Sequence, residues 1–121
     1  MANLKASTFA SRELAEKYHL SLIDLAAAEA RHTDVSQELI YQQKVAEATA
    51  GGGELLIAEA KALNMSIDRL IESVIHQHTE RKRRISEIEL MRIKAKADIR
   101  GASTAAEMHR IASELQHQLT P

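Results

Sequence analysis

Six histidines, His19, His32, His76, His78, His109 and His117, are the side chains here best suited to metal ligation or proton transfer near neutral pH. Their spacing works against both. His76 and His78 are two residues apart, which on a helix turns the rings to opposing sides, and His109 and His117 share a face but lie two turns apart. Neither pair can close on one ion as an i, i+4 pair does. There is no cysteine, so thiolate sites and disulfides are excluded. The chain has no G-x-S-x-G and no His-Glu-x-x-His. Gly51-Gly52-Gly53 lacks the Lys-Ser/Thr of a phosphate-cradling loop and reads as a flexible joint. The expectation is a non-enzyme with no catalytic residue, no cofactor and no metal site.

Two features address nucleic acid. Arg81, Lys82, Arg83 and Arg84 form a basic block, but four successive cations cover all sides of a helix and only two or three can meet one phosphate backbone. In AEAKALNMSIDRLIESV, Ala60, Asn64 and Leu70 imitate the small, turn and apolar positions of a helix-turn-helix, with Asn standing where glycine is usual. Asn tolerates the left-handed turn conformation. Asp68 and Glu72, however, open the would-be recognition helix with charges that repel phosphate. Ordinary three-helix packing explains the same Ala-turn-Leu spacing, and a solvated face explains the basic block.

The elements that carry these residues are helical. Aromatic residues number only three, Phe9, Tyr18 and Tyr41, so the core is built from Ala, Leu, Ile, Val and Met, a palette of high helix propensity. Small polar residues precede apolar-periodic runs at Ser21, Ser66 and Ser103 or Thr104, and His32-Thr33-Asp34 supplies a further cap; Thr104 with Glu107 fits a capping box, and Ser21 with Asp24 approximates one. Helices are expected at 8–18, 22–32, 35–50, 54–63, about 67–100 and 105–119, with Asn64-Met65 as a tight turn and Gly101 as a left-handed stop. The fold class is all-α with no sheet, an extended bundle or hairpin around one long helix. The organisation expected is an N-terminal helical segment (1–50), a glycine joint (51–53) and a bundle segment (54–121). No run approaches the roughly 18 apolar residues of a membrane span, and the N-terminus lacks a signal-type apolar stretch, so a cytosolic origin is the default.

Within the long segment, Ile67, Ile71, Val74, His78, Arg81, Ile85, Ile88, Arg92, Ala95 and Ile99 recur at spacings of four and three, a heptad seam interrupted by the polar stretch His76 to Arg84. If continuous, 34 residues span ~51 Å, against a diameter of roughly 35 Å for a compact chain of this length. A projecting helix with aliphatic stripes points to partners. Ile67, Ile71, Val74, Ile85, Ile88 and Ile99 are the candidate partner-packing residues, and the 81–84 block the candidate contact for an acidic surface. Charge adds a second reason. Residues 1–60 hold five Lys/Arg and nine Asp/Glu, and residues 61–121 eleven and eight, so the halves attract each other or attract copies of each other.

From Tyr41 the chain reads YQQKVAEATAGGGELLIAEAKALNMSIDRLIESVI and, after the basic block, ISEIELMRIKAKADIRGASTAAEMHRI. An Ala-rich helix, a Gly-rich break, E-A-x-A-L into a Leu/Ile-rich helix and an I-R-x-A-x-T-x-x-E ending follow in order. This order, over about residues 41–111, resembles a helical region recurring toward the C-terminal end of tailed-bacteriophage tail, tail-fibre and tail-assembly proteins. The resemblance implies a virion component or assembly factor, made in the host cytoplasm, whose partners are its own copies or other particle proteins. It carries over no catalytic residue. The alternative from another class is a small helix-turn-helix-like DNA-binding regulator using residues 54–75.

Overall fold

A computed structural model describes residues 10–32 and 34–120. The chain is all-α: five helices and, among the described residues, no strand. They are α1 (Arg12–Ala30), α2 (Val35–Thr49), α3 (Glu54–Leu63), α4 (Ile67–Gly101) and α5 (Ala105–Leu119). Helix α4 continues through His76 to Arg84 without a break. The chain divides into two compact units, one of Met1–His32 with Ile85–Pro121 and one of Thr33–Arg84. The divisions thus fall at 32/33 and 84/85, and the three glycines lie inside the second unit as its α2–α3 connection.

In the first unit, α1 presents Ala15, His19, Ile23 and Ala27 at successive four-residue steps, all buried. Two of these are alanines, which let a neighbouring helix approach closely, and α1 and α5 pack together. Ile88, Ala95, Ile99 and Ala102 from the α4 end, with Met108, Ala112, Leu115 and Leu119 from α5, complete this core. The break expected around residues 18–22 is absent. Ser21 does not cap a helix; its hydroxyl donates to the Lys17 carbonyl at 3.1 Å, one turn back inside α1. With no Gly or Pro between Arg12 and Ala30, nothing forces a stop, and Ser11 caps the helix by accepting from Leu14 N–H at 3.2 Å. The start expected at residue 8 lies outside the described residues.

Gly101 also differs from expectation, since it is the last helical residue of α4 and has no positive φ. The open carbonyls are taken instead by Arg12, whose Nε donates to Ala102 O at 2.9 Å and Nη2 to Arg100 O at 2.8 Å. A guanidinium from α1 thus closes the C-terminus of α4, where the helix dipole favours a cation. Downstream, Thr104 caps α5 as its sequence pattern implies. Its Oγ1 accepts from Glu107 N–H at 3.2 Å, and the Glu107 carboxylate reaches back to Ser103 N–H at 3.3 Å.

His19 is fully buried in this core, and its Nδ1 donates to Ala15 O at 2.6 Å, a carbonyl having no proton to give. Tyr18 lies edge-on at 5.1 Å between ring centroids and His109 at 6.2 Å. Burial pushes its pKa below the usual 6.5; the Ala15 hydrogen bond opposes this and the neighbouring His109 adds to it. The unfolded chain therefore binds a proton that the folded unit refuses. The associated stability is complete above pH 6.5 and declines as pH falls below it toward the lowered value. Urea midpoints at pH 7.5 and pH 5 are expected to fall on acidification in the parent and to fall less in His19→Leu; an equal fall in both would remove His19 as the cause.

The second unit is built on Ala48, Leu56, Ala60, Leu70 and Val74, with Val45, Met65, Ile67 and Ile71 half-buried against them. Its turns are defined by backbone chemistry. After α2, Gly51 (φ 91°) and Gly52 (φ 139°) take conformations that L side chains rarely adopt, and Gly52 N–H bonds to Glu47 O at 2.8 Å while Gly51 N–H bonds to Ala48 O at 3.1 Å. After α3, Asn64 (φ 53°) takes the left-handed position, with Met65 N–H to Ala60 O at 3.0 Å and Asn64 N–H to Lys61 O at 3.2 Å. Both ends are Schellman motifs. Gly53 offers no side chain to cap α3, and the Glu47 carboxylate substitutes, accepting from Leu55 N–H at 3.3 Å and Leu56 N–H at 2.9 Å. Those backbone bonds hold its pKa below the usual carboxylate value, the Leu56 bond first.

Asn64→Ala is expected to lower the unfolding free energy by about 1–2 kcal/mol, the cost of placing a Cβ-bearing residue without Asn's local hydrogen bonding in the left-handed region. Asn64→Gly is expected to hold or raise it. Urea denaturation of the pair checks the sign.

The charge asymmetry between the sequence halves is met inside the chain. Asp24 pairs with Lys96 at 3.0 Å and Arg92 at 3.0 Å, and Glu38 pairs with Arg81, each within its own unit. Lys96, then Arg92, hold Asp24 below the usual carboxylate pKa. Residues 33–84 contain seven Lys/Arg and eight Asp/Glu and the remainder nine of each, so neither unit has the charge excess of a nucleic-acid binder.

Candidate functional site

The structure redistributes the six candidate packing residues. Val74 belongs to the core of the second unit, and Ile88 and Ile99 to that of the first, at 1% and 0% exposure. A side chain already enclosed by its own unit cannot pack on a partner without unfolding it, so these three are corrected to core residues. Ile67 and Ile71 are half-buried beside Leu70 and Val74. Only Ile85 presents a substantial surface, at 39%.

The basic block is likewise divided. Arg81 bonds the Glu38 carboxylate and lies 4.1 Å over the Tyr41 ring, and Tyr41 in turn hydrogen-bonds His78. Glu38 and Tyr41 come from α2, and His78 and Arg81 from α4, each pair one turn apart, so the cluster ties α2 to α4 within the second unit. Glu38 is also the chief reason the Arg81 pKa is raised. Arg83 pairs with Glu80 at 2.6 Å. Arg81 is therefore withdrawn from any phosphate-facing patch, while Lys82, Arg83 and Arg84 are exposed.

The α3–turn–α4 segment does have the expected Asn64 turn, with a shallow pocket at the turn bounded by Ile57, Ala60, Asn64 and Ile67. Asp68 and Glu72 are exposed at the start of α4, where their negative charge opposes a phosphate backbone.

A second apolar stripe on α4, missed by the heptad seam, stays exposed. Ser86, Leu90, Ile93 and Ala97 follow spacings of four, three and four, and all are exposed, Leu90 at 67% and Ile93 at 52%. They lie on the opposite side of the helix from Ile88, Ala95 and Ile99, which are buried. Beside the stripe a groove opens between α4 and α5, lined by the apolar side chains Leu90, Met91, Ala95, Ile111 and Leu115 and by Lys94, Asp98, Glu114 and Gln118. Two apolar stripes on one helix were visible as spacing. Which one faces solvent depended on where α1 and α5 dock.

Among the described residues no group of three or more His, Asp or Glu side chains is placed to hold a metal ion, and no helix is long and apolar enough to cross a membrane. Comparison of the chain with protein-family models, curated proteins and solved structures finds no match.

Proposed function

We propose that this protein is a non-enzymatic packing subunit of a tailed-phage particle or of its assembly, acting by helix-to-helix contact with other subunits. The observation that carries the packing role is the exposed Leu90–Ile93 stripe with its adjoining groove, an apolar strip on a rigid helix whose other side is already buried. Supporting the phage setting is the resemblance of residues 41–111 to the tail and tail-assembly helical region. The competing reading, a helix-turn-helix regulator, is favoured by the left-handed Asn64 turn between α3 and α4. Exposed Asp68 and Glu72, the Glu38-bound Arg81 and the balanced charge of residues 33–84 weigh against it.

Two measurements test the proposal. In a duplex-DNA titration across a salt series, no binding is expected even at low salt; binding that weakens steeply with salt would favour the regulator. In pairwise pull-downs against itself and against the products of the genes beside its own, the parent is expected to retain at least one subunit, and Leu90→Asp/Ile93→Asp is expected to lose it. A parent that retains none would end the packing reading.

A further inference from the structure

We propose that the exposed stripe of α4 pairs with the same stripe of a second copy, the two helices running antiparallel about a two-fold axis between residues 91 and 92. This rests on the packing role above and names its partner. In that register Leu90 of one copy opposes Ile93 of the other, and Ser86 opposes Ala97, so small residues flank a large aliphatic centre and allow the backbones to approach.

Charge complementarity selects this occupant. The residues flanking the stripe are Glu87 and Lys94 on one side and Glu89 and Lys96 on the other. Two-fold antiparallel pairing sets Glu87 of each copy against Lys94 of the other, and Glu89 against Lys96, giving opposite signs at all four places. The Lys94 side chain is 78% exposed, with Asp98 of its own helix 3.3 Å away, and can turn to a second copy. Glu89 and Lys96 additionally serve Arg92, Arg31 and Asp24 within the chain. Because Ile88, Ala95 and Ile99 point away from the stripe, pairing leaves the core of the first unit intact.

The absence of cysteine makes the register testable in the full chain. Ser86→Cys and Ala97→Cys variants, both at exposed positions, are oxidised separately and as an equimolar mixture, then read by mass on a non-reducing gel. In the proposed pair residues 86 and 97 of opposite copies are adjacent. Two copies of residue 86 stand about 16 Å apart along the axis, beyond the roughly 7 Å Cα limit of a disulfide. The expected result is a species of doubled mass in the mixture and little in either variant alone. Equal cross-linking of each variant alone, or none in the mixture, overturns the proposal.

A second arm uses sedimentation equilibrium. Lys94→Glu is expected to weaken self-association about tenfold, from two attractive contacts turned repulsive. Adding Glu87→Lys is expected to restore it, and failure to restore it overturns the register. Absent cross-linking alongside a retained neighbour-gene product in the pull-down removes self-pairing while leaving the packing role standing. Failure of both removes both.

Discussion

Ile99→Ala is expected to lower the unfolding free energy by about 2–5 kcal/mol, because Ile99 is fully buried and the surrounding helices cannot close over the lost methyl groups. Ile85→Ala, an identical change fourteen residues earlier in the same helix, is expected to cost less than about 1 kcal/mol, since 39% of Ile85 already faces solvent. Urea denaturation followed by circular dichroism makes the comparison, with helix propensity held constant by the shared replacement. The contrast bears on function as well as stability. If the interrupted seam of Ile85, Ile88 and Ile99 were the partner surface, all three would behave as surface residues in the isolated chain. Similar small losses at Ile85 and Ile99 would return that seam to the partner side and displace the Leu90–Ile93 stripe.

The same logic in the second unit gives the other large effect. Leu56, the third residue of α3, is fully buried, and its own N–H donates to the Glu47 carboxylate. The core around it is small, four further buried residues of which two are alanines. Leu56→Ala is expected to cost about 2–5 kcal/mol, and a core this thin has little remaining apolar area to offset the loss. Neighbouring Ile57, 54% exposed, is expected to tolerate the same change within about 1 kcal/mol. Hydrogen exchange would locate the effect: amides of α3 are expected to lose protection in Leu56→Ala and to keep it in Ile57→Ala. Equal loss in both would mean that α3 is held by its turns rather than by its buried face.

Much of this architecture was legible in the chain because it depends on neighbours in sequence. Asp34, Ser66 and Thr104 start helices since their side chains reach backbone N–H groups two or three residues on. Asn64 ends one because it accepts a left-handed conformation. Where the reading departed from the structure, the deciding partner was distant. Gly101 could have terminated α4 by a left-handed turn, but Arg12, 88 and 90 residues away from the carbonyls it binds, satisfied them first. Ser21 had the composition of a cap, yet the buried series Ala15, His19, Ile23 and Ala27 continued past it on one face, and the hydroxyl bonded back to Lys17 instead. Gly51 and Gly52 form the α2–α3 turn through their own positive φ, while Glu47, eight and nine residues before the N–H groups it accepts from, spans them to cap the next helix.

The candidate surface was decided in the same way. Residues 85–101 carry two apolar stripes of equal periodicity, Ile88, Ala95 and Ile99 on one side and Leu90, Ile93 and Ala97 on the other. The sequence by itself determined that a helix runs through them, that both sides are sticky, and that acidic residues 24 and 38 and basic residues 81, 92 and 96 lie far apart along the chain. Tertiary structure decided which stripe is buried and which stays exposed, and it joined those charges into pairs. The physical reason is that periodicity is a property of one helix, whereas burial belongs to the volume that α1 and α5 enclose around it.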